Sequence, residues 1–283
     1  MTLPRPWHPK SKMKSHPKKR LGQHFLKQPG VLDRITNYLR PSPDDLFIEI
    51  GAGHGELSSR LAPRVGKLIA VEIDTDCIPA LARTLADYPS AIIEHGDVLS
   101  LNPMRLLPPH MRPESNLRVA GNLPYNVATA IVERVLELPL AIKDMTFLVQ
   151  LEVAERITAA PRTRQYGYFS VLCQHLADVR IGFKVQPGSF FPPPKVTSAI
   201  VTLRPLRPGP GTELDHDLKS LVKASFTHRR KTLLNSLKRD LRFGQICESL
   251  ISLAGMDPGR RAEELTVKEY ERLALIYREN FSA

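Results

Sequence analysis

The sequence predicts an α/β protein, with a mostly parallel, doubly wound sheet followed by a smaller all-α domain. Three observations carry that prediction. Short apolar runs alternate with helical patterns over most of the chain, a glycine-rich turn follows the first strong run, and beyond a Pro/Gly-rich linker the pattern is helical to the end.

Val31, Leu32, Ile35 and Leu39 recur at helical spacing, and Pro41 ends that helix. Strands are expected at Leu46–Ile50, Leu68–Glu72, Ala91–Glu94, Leu117–Gly121 and Met145–Leu151. Helices are expected between them at Glu56–Ala62, Ile78–Ala86 and Ala128–Glu137. Strand runs separated by helical stretches indicate βαβ units, hence parallel strands covered on both faces. Val179–Val185 and Thr197–Leu203, joined by a Pro-rich turn, are expected to form a hairpin at one edge of the sheet.

The stretch 204–211 holds three prolines and two glycines, which can continue neither element, so it reads as a linker. After it, helices are expected at Leu214–Phe226, Lys231–Leu241, Gln245–Ala254 and Val267–Glu279. The last carries a capping box, Thr266 with Glu269, and a hydrophobic staple from Leu265 to Tyr270. The expected organisation is a flexible basic arm over residues 1–20, an α/β domain over 21–206 and a helical domain over 207–283.

Composition narrows the function classes. The 283 residues are 42% hydrophobic and 24% charged, enough to bury a core and too apolar for a disordered chain. No apolar run approaches the roughly 20 residues of a spanning helix, so a membrane-embedded role is not expected. Cys77, Cys173 and Cys247 are far apart without a Cys/His cluster, which fits free thiols in a reducing compartment rather than a disulfide frame or metal site. The expected location is the cytoplasm.

The net charge of +11 divides unevenly: residues 44–156 hold 16 acidic and 10 basic side chains, the remainder 13 and 30. An acidic middle at −6 between flanks totalling +17 suggests a small-ligand core whose flanks meet a polyanion; a plain solubility effect gives the same composition. The first 20 residues contain seven Lys and Arg, four prolines and no acid. They lack both the apolar region of a secretory signal and the amphipathic helix of a transit peptide. Such an arm rests on phosphates or stays solvated.

Phe47-Ile-Glu-Ile-Gly-Ala-Gly-His-Gly55 is a buried strand entering a glycine turn at the head of a helix. Glycines there permit a sharp turn and close approach of a ligand. The dinucleotide fingerprint G-x-G-x-x-G is broken, because Glu56 stands where its third glycine belongs. Glu49 adds negative charge where phosphates would be unwelcome, which favours a ligand with a positive centre. Glu72, 21 residues after Gly51, is placed to accept from ribose hydroxyls, and Asp97 from an adenine amino group. Together with Gly51 and Gly53, these acids describe an S-adenosylmethionine pocket on a Rossmann-like class I methyltransferase sheet.

Asn122-Leu-Pro-Tyr125 follows the fourth strand and points to methylation of an exocyclic aromatic amine. Such an amine is a poor nucleophile because its lone pair is delocalised into the ring. The Asn122 side-chain oxygen and the Leu123 carbonyl can each accept one N–H and aim the lone pair at the methyl group, with no strong base required. Tyr125 is placed to stack on an extruded base. Ser189-Phe-Phe-Pro-Pro-Pro-Lys-Val-Thr-Ser198 is a stiff segment that can present Phe190 or Phe191 to the same pocket; an aromatic packed beneath the hairpin turn is the other reading of Phe191.

Lys19-Arg-Leu-Gly-Gln-His-Phe-Leu26, Glu49-Ile-Gly-Ala-Gly-His-Gly55, Asn122–Tyr125 and Phe190–Ser198, in this order, closely resemble the small-subunit rRNA adenine N6,N6-dimethyltransferases, the kasugamycin-resistance family. The resemblance runs from about Lys18 to the C-terminus. It implies S-adenosylmethionine-dependent dimethylation of two adjacent adenosines in the 3′-terminal hairpin loop of small-subunit rRNA, within a pre-ribosomal 30S-type particle and by a monomer. His24, Leu26, Gly51, Glu72, Asp97 and Asn122 would line the cofactor site, and Asn122, Leu123, Pro124, Tyr125 and Phe190 would engage the adenine.

The arm before Lys18 has no family motif, and Leu101–Asn116 is long and Pro-rich. A sibling family, the macrolide-resistance methyltransferases of large-subunit rRNA, shares the cofactor and target motifs. Ser225-Phe-Thr-His-Arg-Arg-Lys-Thr-Leu-Leu-Asn235 matches the small-subunit family instead. His228, Arg229, Arg230 and Lys231, with Lys18, Lys19 and Arg20, are the expected RNA contacts. A non-catalytic ribosome-assembly factor retaining the fold, and a small-molecule amine methyltransferase, are the alternatives from other classes; the basic flanks argue against the second.

Overall fold

The computed structural model describes Lys18 and residues 22–102, 116–207 and 211–282. The expected basic arm, Lys19 and Arg20 included, and most of the Leu101–Asn116 segment lie outside the described residues. In chain order the strands are β1 (Phe25–Leu26), β2 (Asp45–Ile50), β3 (Lys67–Glu72), β4 (Ala91–His95), β5 (Asn116–Asn122), β6 (Ile142–Gln150), β7 (Ala177–Val185), β8 (Phe190–Phe191) and β9 (Ser198–Pro205). The helices are α1 (Pro29–Leu39), α2 (Ser58–Leu61), α3 (Ile78–Leu85), α4 (Ala128–Leu136), α5 (Leu151–Ile157), α6 (Tyr168–Leu176), α7 (Glu213–Thr227), α8 (Leu233–Leu237), α9 (Cys247–Leu253) and α10 (Val267–Phe281).

Seven strands form one sheet in the order β4-β3-β2-β5-β6-β9-β7. The pairs from β4 through β6 are parallel, and β9 enters antiparallel between β6 and β7. The expected edge hairpin is therefore present, with β9 as its inner strand. Strand order reverses between β2 and β5, which opens a crevice beyond their carboxyl ends, the usual ligand position in such sheets.

Strands buried on both faces read as continuous apolar runs, which is why β2, β3 and β5 are legible in the sequence. Ile48, Ile50, Val71, Val119 and Phe147 pack on one face with residues of α4, α5 and α6. Phe47, Leu68, Ala70, Ala120 and Leu148 pack on the other with residues of α1, α2 and α3. A third apolar cluster joins α7–α10 around Leu218, Leu237, Leu250, Tyr270 and Leu273, with Tyr166 and Val171 from the α/β part inserted in it. The two parts also meet at a buried polar junction. On α6, His175 bonds Asp215 through Nε2 and Glu271 through Nδ1, both at 2.7 Å.

Several elements differ from expectation for local reasons. The helix expected at Glu56–Ala62 is the four-residue α2 followed by a 3-10 turn at Ala62–Arg64, which contains the helix-breaking Pro63. The helix expected at Lys231–Leu241 shrinks to α8, because Thr232 is extended, bridges Arg261, and caps Asn235 N–H. Helices α5 and α6 were not expected. On α6, six of nine residues are buried, so no amphipathic period marks it. At α10 the Thr266–Glu269 capping box forms as expected, with Leu265 and Tyr270 buried beside it.

Candidate active site

The crevice holds a cleft bounded by Gly22–Phe25, the ends of β2, β3 and β5, and the turns after β4 and β5. His24, Gly51, Gly53, Glu72, Asp97, Asn122, Leu123, Pro124 and Tyr125 all line it, so the expected site residues converge from five separate segments. Leu26 lines a smaller neighbouring cavity instead, together with Glu49, Gly51, Gly53 and Asn122.

The glycine turn is shaped by backbone demands. Gly51, Gly53 and Gly55 all have positive φ, 72°, 58° and 92°. Its amides bond inward: Gly51 and Ala52 N–H reach the Val71 carbonyl, and Gly53 N–H reaches Glu72 Oε2 at 2.7 Å. Asp74 N–H donates to Glu72 Oε1 at 2.8 Å, so both oxygens are held and each keeps further acceptor capacity. Burial pushes the Glu72 carboxyl above its ordinary range, against those two amides. Glu49 is buried in β2 and accepts from Ser58 Oγ at 2.6 Å; burial pushes it up to about 8, with Glu56 and Glu72 adding to the shift. Burial thus keeps Glu49 largely protonated near neutrality, so the negative charge expected from it is not expressed there, while a phosphate still meets carboxyl oxygens on this side.

The other wall is the N-terminal segment. Lys18 Nζ lies 2.6 Å from both Asp74 and Asp76, and Gln23 Nε2 donates to Asp74 at 2.8 Å. Lys18, expected at RNA, is paired here with two carboxylates, and with Gln23 it ties the Gly22–Leu26 segment to Asp74. Phe25 stacks on His54 with ring centroids 4.3 Å apart. A Cβ on Gly53 would come within 3.0 Å of that ring.

On the target side, Gly121 sets the position of Asn122. A Cβ at Gly121 would stand 2.4 Å from the Ile50 carbonyl, so only glycine allows β5 to pass this close to β2. Asn122 Nδ2 donates to the His24 backbone carbonyl at 2.8 Å. A carbonyl can only accept, so the amide orientation is fixed and Oδ1 is left as the acceptor. Leu123 N–H donates to the Leu148 carbonyl at 3.0 Å, and the Val127 amide closes the turn onto the Pro124 carbonyl. His24 Nδ1 donates to the Pro192 carbonyl at 2.7 Å, and its ring stacks on Tyr125 at 5.0 Å and 30°. The Tyr125 hydroxyl shares a hydrogen bond with buried Ser198 Oγ at 2.5 Å, and burial raises the phenol's proton affinity.

Phe190 does not join this lining. The residue is 4% exposed, packed in the core with Leu26, Val185 and Ile200, whereas Phe191 is 59% exposed. The pairing of β1 with β8 decides this, placing Leu26 opposite Phe190 and Phe25 opposite Phe191. Of the two readings of Phe191, the buried aromatic is the wrong one. In the helical part, Arg229 is also spent internally, on Glu263 at 2.8 Å and the carbonyls of Arg164 and Tyr166. His228 is half-buried, while Arg230 and Lys231 are exposed without a carboxylate partner among the described residues.

Sequence reasoning missed Ile73 and Phe25. Ile73 follows Glu72, lines the same cleft as Asp97 and is 44% exposed. Its signal was an isoleucine one position beyond a strand-terminal acid. Among the described residues no His/Cys/Asp/Glu group could hold a metal, and no helix is long and apolar enough to cross a membrane.

The geometry is matched by kinship. The model of the ribosomal RNA adenine dimethylase family matches residues 14–279. The ribosomal RNA small subunit methyltransferase A of Hydrogenovibrio crunogenus is 38% identical over 261 residues, 92% of this chain and 96% of that one. Its namesake in Chromohalobacter salexigens is 40% identical over 258 residues, 91% and 90% of the two chains. A dimethyladenosine transferase from Plasmodium falciparum shares the fold, with a TM-score of 0.74 at 24% identity over 90% of this chain and 98% of that one. A 23S rRNA methyltransferase structure has a TM-score of 0.64 at 28% identity over 89% and 98%. On a family match across nearly its whole length, this chain belongs to the ribosomal RNA adenine dimethylases.

Proposed function

We propose that the protein dimethylates N6 of two adjacent adenosines in the 3′-terminal hairpin loop of small-subunit rRNA, acting as a cytoplasmic monomer on a pre-ribosomal particle. The observation that carries this reading is the locked Asn122 amide beside Tyr125, at the end of a cleft walled by acids. Two relatives named for the small subunit, each near 40% identical, favour that subunit over the large one.

S-adenosylmethionine, when bound, supplies an electrophilic methyl group on a sulfonium. The residues fit it: Glu72 and Asp97 for ribose and adenine, Ile73 for the ring, and Gly51 and Gly53 for close approach. Asn122 Oδ1 and the Leu123 carbonyl accept the two N–H groups of the target amine and turn its lone pair toward the methyl group. Tyr125, braced by His24 and Ser198, stacks on the base. The methylated nitrogen is acidic and sheds its proton to solvent, so positioning and electrostatics supply the rate. With Lys18 and Arg229 paired to carboxylates, exposed Arg230 and Lys231 and half-buried His228 are the remaining phosphate contacts among the described residues of the expected set.

The test is incubation with S-adenosylmethionine and undermethylated small subunits, with large subunits as the comparison. N6,N6-dimethyladenosine in small-subunit rRNA alone is expected. Monomethyladenosine in large-subunit rRNA would select the sibling activity, and no product with cofactor bound would leave an assembly factor.

A further inference from the structure

We infer that Phe191 is a stacking platform for the nucleotide next to the one being methylated, which makes it a residue that selects the sequence around the target. The inference rests on the reading of adjacent adenosines given above and adds a contact for the base outside the cleft.

In the β1–β8 ribbon Phe25 faces Phe191 across the pair, so both side chains stand on one side and Leu26 and Phe190 on the other. The Leu26–Phe190 side is buried in the core. The Phe25 side is the cleft side, because Phe25 lines the cleft and stacks on His54. Phe191 therefore stands at the rim, on the cleft-facing side of a ribbon whose other side is anchored. Packing does not require an aromatic there, since the residue is 59% exposed.

The rim is also rigid and close to the target end. Pro192 gives its carbonyl to His24 Nδ1, and the same His24 stacks on Tyr125 and accepts from Asn122. Pro192–Pro194 stiffen the chain beyond the ring, and Lys195 comes next, exposed and without a carboxylate partner among the described residues. An exposed ring on a braced backbone, followed by an exposed cation, is an arrangement that holds a single strand, base on the ring and phosphate on the charge. When one of two neighbouring adenosines enters the cleft, the other is left unstacked at its mouth. Phe191 offers it a face, and a purine fills that face best.

The experiment compares wild type, Phe191→Ala and Phe191→Trp in single-turnover and steady-state methylation of small subunits. Each is assayed with the natural loop and with loops carrying an abasic nucleotide on the 5′ or 3′ side of the target. Phe191→Ala is expected to lower kcat/KM about tenfold, mostly through KM, at the low end of the measured stacking range. S-adenosylmethionine affinity should stay unchanged, and Phe191→Trp should restore activity. An abasic neighbour on one side should cost wild type the same factor and cost Phe191→Ala nothing more. Phe191→Ala activity within twofold of wild type, or an abasic penalty that adds in full to the substitution, would overturn the inference. Failure of wild type itself to dimethylate would instead sink the function on which the inference rests.

Discussion

Replacing Asn122 with alanine separates chemistry from binding. Two bonds go with the amide. One is the 2.8 Å donation to the His24 carbonyl, which holds the N-terminal wall and is worth about 1 kcal/mol, hence roughly fivefold at most in cofactor affinity. The other is the Oδ1 acceptor aimed at an amine that becomes positive as the methyl arrives. Removing one preorganised polar group of that kind costs about 3–4 kcal/mol, or some 10²–10³ in rate. The alanine side chain leaves the acids and glycines of the cofactor wall in place, so the losses should be unequal. Single-turnover transfer of a radiolabelled methyl group gives the first number, and calorimetric titration with S-adenosylmethionine gives the second. A rate loss below tenfold, or a cofactor affinity that falls as far as the rate, would refute the assigned role.

The remaining expectations concern support around the site. Ser198→Ala and Tyr125→Phe each remove the 2.5 Å bond and should each slow methylation by about threefold to tenfold, with the double substitution no worse than either single one; additive losses would show that the hydroxyls act separately. At the junction of the two parts, burial alone would lower the affinity of His175 for a proton, but Asp215 and Glu271 raise it above its ordinary 6.5. Its contribution to stability is then complete below pH 6.5 and is lost as pH rises through the higher folded value. Melting temperature should accordingly fall above pH 6.5 in wild type and less steeply in His175→Gln; equal slopes would contradict the linkage.

Legibility in the chain tracks where the physics is local. The runs at β2, β3 and β5 are mostly apolar because both faces are covered, and Glu72 and Asp97 stand out because they sit at or just past strand ends and line the cleft. Asn122–Tyr125 was readable as a unit for the same reason. The fate of Phe190 and Phe191 was not, since a ribbon of two residues per strand decides which ring is buried, and its partner lies far back in the sequence. Lys18 and Arg229 look like any basic residue until Asp74 and Glu263, distant along the chain, arrive beside them. The cleft was therefore legible in its acids, glycines and target turn, while its outer wall and its charge pairing were decided by long-range contacts.

The most direct test of the central claim is mass-spectrometric mapping of rRNA from cells lacking this protein, then complemented with wild type or Asn122→Ala. Two adjacent N6,N6-dimethyladenosines near the 3′ end of small-subunit rRNA are expected to vanish on deletion, return with wild type and stay absent with Asn122→Ala. Retention of both modifications in the deletion, or their return with Asn122→Ala, would contradict it.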